Sequence, residues 1–254
     1  MYRVRKRISQ SNLLVIGDNP RAADKAFESI VYHRSTLESY IRTHPSFSWA
    51  LDPVAMGKDA PRVVQLAAGA AEIAEVGPMA AVPGALAELA MEAMASTGSR
   101  TNLVENGGEI AATSITPLKV GIYAGQSVLS GRVGFLLSTV DFPVGIATSS
   151  ATVSHALNFG KADAAVVVAD TASMADAVAK AVCNAARQDD YESSIQSGLE
   201  AVERIGHVRG ALIIRGRFIG TIGKLPGLVR IEGSTSEVLA AGLHDLAPPH
   251  STIL

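Results

Sequence analysis

Ala164-Ala-Val-Val-Val-Ala169 is six apolar residues in a row with no polar alternation. Successive side chains of a strand point to opposite faces, so a strand with one wet face alternates apolar and polar residues. An unbroken run reads instead as a strand buried on both faces. Directly after it the period changes. Met174, Val178, Ala181, Val182 and Ala185 recur at three- and four-residue spacing, which predicts a helix over 173–187. A doubly buried strand feeding a helix therefore anchors the second half of the chain.

Reading outward from this unit, residues 191–204 have helical spacing, and 211–214 and 218–222 flank Arg215-Gly216-Arg217 as a hairpin. Residues 228–231 suit one more strand, and the tail from Ala247-Pro248-Pro249 onward suits a loose end. Upstream, strands are expected at 101–105, 118–123, 133–138 and 145–148. Helices are expected over 62–74 and from Pro83 to Gly98, with Gly77-Pro78 breaking the chain between them. Asp18-Asn19-Pro20 opens a helix over 22–41 that His44-Pro45 closes, because proline lacks an amide donor and restricts the residue before it. Residues 46–61 read as loop, and 2–8 and 12–17 as two strands. The expected fold is α+β: mixed sheet packed by helices, one domain over 1–254, with 1–9 and 247–254 free to be loose.

Hydrophobic residues make up 48% of the 254 and aromatics only 5%, so Ala, Val, Ile and Leu must build the core. The formal net charge of -2 offers no basic surplus for a phosphate backbone, which argues against nucleic acid. No stretch of about 20 uncharged apolar residues is present, and the apolar run after the basic start (Arg3, Arg5, Lys6, Arg7) is too short for a signal peptide. The expectation is a cytoplasmic protein without a membrane partner, compatible with a homo-oligomer. The single Cys183 excludes an internal disulfide and reads as a small buried hydrophobe.

Four segments could carry chemistry. Gly77-Pro78-Met79 enters a helix whose first amides attract anions, or simply packs tightly. Asn106-Gly107-Gly108-Glu109 permits close backbone approach to a ligand, or is a plain turn. Thr148-Ser149-Ser150 offers hydroxyls to phosphate or carboxylate oxygens, or to its own loop; His155 beyond it has a side chain suited to proton transfer, or is structural. Asp176 and Lys180 lie four apart on one helix face, but Ser173 and Asp176 also match a capping box, the reading that spacing alone favours.

Taken in order, these segments resemble the ApbE superfamily, the FAD:protein FMN transferase type, and more closely its uncharacterised soluble ApbE-like branch. The resemblance spans most of the chain and rests on Ile41-Arg-Thr-His-Pro-Ser-Phe47, Gly77-Pro-Met-Ala-Ala-Val82, Glu105-Asn-Gly-Gly-Glu109, Gly145-Ile-Ala-Thr-Ser-Ser150, and Asn158-Phe-Gly-Lys-Ala-Asp163 followed by Ala175-Asp-Ala177. It implies a T-fold-like architecture and a pocket for FAD, a related flavin or another anionic small molecule. In that pocket Asp176, Lys180 and His155 would be catalytic, and the glycine and hydroxyl segments would cradle the ligand. Transferases of the family hold a divalent cation partly by an Asp and a Thr four residues later. That Asp matches Asp176, which would make it a ligand for Mg²⁺, but the Thr position is Lys180. Ala80-Ala81 and Ala85 replace other polar contacts of the family. These departures set FMN transfer against a different reaction in the same pocket on another cofactor precursor, as in a cofactor-biosynthesis enzyme, against a ligand-binding or accessory protein on the same fold, and against a structural protein whose glycines only turn the chain.

Overall fold

A computed structural model describes residues 1–153 and 158–231 and the backbone of 251–253. Its main sheet has eight strands in the order β1-β2-β3-β4-β7-β8-β9-β10, every neighbouring pair antiparallel. They are β1 (Tyr2–Ile8), β2 (Ser11–Gly17), β3 (Asn102–Asn106), β4 (Glu109–Thr113), β7 (Val144–Ser149), β8 (Ala164–Ala169), β9 (Gly210–Arg215) and β10 (Phe218–Gly223). A second sheet, ordered β11-β6-β5-β12, consists of β5 (Leu118–Gly121), β6 (Val133–Leu137), β11 (Gly227–Arg230) and β12 (Ser251–Ile253). The helices are α1 (Pro20–Thr43), α2 (Ser46–Trp49), α3 (Arg62–Ala74), α4 (Val82–Ala95), α5 (Ala172–Ala185) and α6 (Tyr191–Ile205). The result is the expected α+β architecture.

The uninterrupted run at 164–169 has a direct cause. Ala165, Val167 and Ala169 face the helices, while Ala164, Val166 and Val168 face a second apolar cluster with Leu118, Val120, Phe135 and Leu137 of the smaller sheet. β8 therefore sits in the middle of three layers with no wet face, and a polar residue at any position would lose its hydrogen bonds to water.

Some boundaries differ from the sequence reading. β4 carries no strand signal of its own, because Ala111 and Ala112 are weak strand formers; it forms by pairing with β3 across the turn at Gly107-Gly108, both at positive φ. The short helix α2 lies within the stretch read as loop. Residues 1–9, left free to be loose, carry β1, and within the tail Ser251–Ile253 pair in parallel with β5. The hairpin at Arg215-Gly216-Arg217 is present, with Arg215 opposite Phe218.

Helix α5 packs against β7, β8, α3, α4 and α6, and nine of its 14 residues are buried. Room for it is made at Gly84 of α4, where a Cβ would lie 2.3 Å from the Ala172 carbonyl oxygen and 2.9 Å from the Asp176 Cβ. Gly84→Ala is expected to destabilise the protein by about 2–3 kcal/mol through overpacking, measured by urea unfolding; a loss under about 0.5 kcal/mol, the scale of an ordinary surface change, would contradict this packing.

Candidate functional site

Helices α4 and α5 are tied together by two buried carboxyl groups. The Gly84 amide donates to Asp176 Oδ2 at 2.8 Å. Glu88 Oε2 accepts from the Ser173 hydroxyl at 2.8 Å and from the Ser173 amide at 3.2 Å. The capping box expected from Ser173 and Asp176 is not formed. Thr171 is the N-cap and accepts from the Met174 amide, which places Ser173 inside the helix beside Glu88 and Asp176 one turn further on. Asp176 is only 8% exposed and serves the α4 backbone rather than its own helix end.

Around Asp176 the structure gathers the second and third segments. Asn106 Nδ2 donates to the Pro83 carbonyl at 3.0 Å, and Glu109, paired with Asn106 across the β3–β4 turn, lies close enough to Asp176 and Lys180 for their charges to act on it. Thr148 Oγ1 is buried with no hydrogen-bond partner, as is Glu105 Oε2. Ser149 Oγ donates to Asn158 Oδ1 at 3.2 Å, the same oxygen that accepts from Lys180 Nζ at 2.8 Å. Ser150 Oγ instead accepts from the amides of Thr152 and Val153, so it satisfies its own loop. His155 lies outside the described residues. Cys183 is fully buried, as its setting in the sequence suggests.

The electrostatics follow from burial. Desolvation pushes the Asp176 carboxyl from 3.8 up to about 8, against the Gly84 hydrogen bond and the Lys180 charge, which both favour ionisation. Glu109 is also raised well above the usual carboxylate range, first by desolvation and then by Asp176 and Glu105. Glu105 rises to about 7, again by desolvation. Lys180 is lowered by desolvation, while neighbouring Cys183, Asp176 and Glu109 act to keep its proton. Perturbed groups of this kind, gathered beside a cleft, mark candidate functional sites.

A cavity of about 640 Å³ opens beside this cluster. Its walls come from residues 48–52, from the turn around Gly77, Met79 and Ala80, from Phe159, from the Lys180 and Asn184 side of α5 and Arg187 just past its end, with Arg204 of α6. Of the residues picked from sequence, Gly77, Met79 and Lys180 line it. Pro78 is buried in the 3-10 turn Pro78–Ala81, and a Cβ on Gly77 would meet the Ala50 carbonyl oxygen at 1.9 Å, so tight packing and cavity wall coincide there. Asn106, Gly107, Gly108, Glu109, Thr148, Ser149, Ser150 and Asp176 are not in its wall. Lys180 is the side chain common to the carboxyl cluster and the cavity. Sequence reading missed Trp49, Phe159, Arg187 and Arg204; Trp49 was legible as the one Trp of the chain standing in a stretch without a core pattern.

The residues do not suit Mg²⁺. A hard cation needs several ionised or carbonyl oxygens. Here one Asp176 oxygen holds the Gly84 amide, and the side chain one turn on is the amine of Lys180 rather than an oxygen donor. Among the described residues no group of three His, Cys, Asp or Glu side chains could hold a metal ion.

A helix-covered antiparallel sheet backed by a smaller one, with this cluster at the start of α5, defines an ApbE-like α+β protein. The chain belongs to the family described as AbpE bacteria, whose model matches residues 2–202. It is 39% identical over 233 residues to a UPF0280 protein of Methanocaldococcus jannaschii, covering 91% of this chain and 94% of that one. It is 40% identical over 201 residues to a UPF0280 protein of Methanothermobacter thermautotrophicus, covering 79% and 78%. Among solved structures the fold is similar to the ApbE protein of Thermotoga maritima, with a TM-score of 0.54, 16% identity and 86% and 96% coverage. It is also similar to the apo flavinyl transferase ApbE of Pseudomonas stutzeri, with a TM-score of 0.50, 13% identity and 87% and 93% coverage. Among the described residues no single helix is long and apolar enough to cross a membrane.

A raised carboxyl means that the folded state holds a proton the unfolded chain has released. Between 3.8 and about 8 the folded protein therefore binds more protons at Asp176, and stability falls as pH rises through that window. Asp176→Asn keeps an acceptor for Gly84 and removes the titration. In urea unfolding at mildly acidic and mildly alkaline pH, the wild type is expected to lose clearly more stability with rising pH than this variant. Parallel losses would show that Asp176 does not carry the buried proton.

Proposed function

We propose that the chain binds a flavin or a related phosphorylated small molecule in the cavity beside α5, acting as a ligand-binding or accessory protein rather than as a metal-dependent transferase. One observation carries the reading. The 640 Å³ cavity has two exposed aromatic side chains in its wall, Trp49 at 71% and Phe159 at 47% exposure, together with three cations, Lys180, Arg187 and Arg204. Its size falls in the range of small-molecule sites, roughly 300–1,000 Å³. Large aromatic surface left in water calls for a partner, and a planar ring system is one that stacking serves.

The Arg187 guanidinium lies over the Phe159 ring at 5.8 Å from its centroid, so a cation and a stacking face are already combined there. The cations outnumber the lining acids, Asp52 and Glu75, which favours an anionic guest. Kinship of fold with proteins named as flavin transferases adds the flavin to this chemistry. The unsuitability of Asp176 and Lys180 for Mg²⁺ turns the reading away from FMN transfer, which in the transferases uses a divalent cation.

Trp49 is the chain's only Trp, so its emission reports directly on the cavity. FMN is expected to quench that emission saturably, and Trp49→Ala to weaken FMN binding by about 2- to 12-fold in calorimetry, the worth of one stacked aromatic. No covalent yellow product is expected with FAD, Mg²⁺ and a flavinylation-site peptide. Failure of FMN and FAD to bind would remove the flavin from the reading, and a covalent adduct would restore the transferase.

A further inference from the structure

We infer that, of the cations in this cavity, Lys180 is the one that takes the phosphate of a phosphorylated ligand where a divalent metal ion would otherwise serve, so that recognition here is independent of such ions. The inference rests on the ligand reading above for the guest's class, but its geometry stands separately. Lys180 follows Asp176 by one turn of α5 and lies in the cavity wall beside Asn184 and Arg187. Its ammonium donates to Asn158 Oδ1, and Asn158 Nδ2 in turn donates to the Ser150 carbonyl at 2.7 Å. The Asn184 Oδ1 accepts from the Phe159 amide at 2.9 Å, so a second side chain of the same helix face fixes the same loop. The ammonium is thus held at the junction between α5 and the loop that ends β7, in a fixed position rather than on a free stem. Pre-positioned charge is what makes an anion site, because little ordering remains to be done on binding.

Asp176 and Glu109 stand close behind Lys180. A divalent ion and this ammonium would compete for the same carboxyl neighbourhood. The amide of Gly84 already engages one Asp176 oxygen, which leaves at most one oxygen of that carboxyl for any cation, too few by itself for the oxygen shell of a divalent ion. An ammonium acts on phosphate as a point charge with three donors and needs no ordered shell of oxygens.

The test is calorimetry with FMN, with riboflavin as its phosphate-free counterpart, and with inorganic phosphate, each in EDTA and in excess Mg²⁺. FMN is expected to bind equally in both, with riboflavin about 10- to 100-fold weaker, the worth of one charge-assisted contact. Lys180→Met should weaken FMN and phosphate by a similar factor and leave riboflavin unchanged, and Lys180→Arg should recover part of the loss. Unchanged circular dichroism and Tm in the Arg variant guard against a folding defect. FMN binding that rises tenfold or more with Mg²⁺ would overturn the inference while leaving the flavin reading intact. Equal effects of Lys180→Met on FMN and riboflavin would also overturn it, as would silence toward both FMN and phosphate. If flavins stay silent but phosphate binds in EDTA and depends on Lys180, the inference holds and the flavin reading falls.

Discussion

Gly84 and Asp176 meet where α4 packs on α5, with the backbone of Ala172 too near Gly84 to admit a methyl group and the Gly84 amide on the Asp176 carboxyl. Glu88 makes the return contact to Ser173. This pair of ties fixes the register of α5 against α4, and much else depends on it. It sets which face of α5 turns to the core and which turns to the cavity, so it places Lys180 and Asn184. It also buries the carboxyl group that would otherwise be free to take a cation. Buried polar contacts of this kind add little net stability, but leaving one partner unmet is costly, so they select one packing over its neighbours.

The three-layer arrangement explains why such a crowded helix is tolerated. With both faces of β8 covered and few aromatics, the core is filled by Ala, Val, Ile and Leu, and small side chains let helices and sheet approach closely. The chain's only Trp and the exposed Phe159 stand at the cavity, outside the core, where they contribute nothing to packing density.

Much of this fold was legible because hydrophobic period reports burial directly. The run at 164–169 and the helical spacing after it read correctly, since each reflects how many faces of the element are covered. The Asn-Gly turn and the Arg-Gly-Arg hairpin read correctly because they need backbone conformations that glycine supplies. β4 was not legible, since its alanines gain strand structure only from neighbours on both sides. Asp176 was misread as a cap for a related reason: its true partner, the Gly84 amide, is 92 residues away in sequence, and spacing carries no trace of it. Ser150 shows the opposite case, where the plain local explanation was the right one. The cavity itself was only partly legible, because Trp49, Phe159, Arg187 and Arg204 come from four separate stretches that only the tertiary fold brings together.

The account turns on charge. Lys180 stands one helical turn from Asp176 and also lines the cavity beside α5, so one side chain joins the carboxyl cluster to the space a guest would fill. The most direct measurement is a crystal structure grown with FMN in the presence of EDTA. The account predicts the isoalloxazine ring against Trp49 or Phe159, with the phosphate within hydrogen-bond distance of Lys180 Nζ. A phosphate bound away from Lys180, or ligand density that appears only when a divalent ion sits on Asp176, would contradict it.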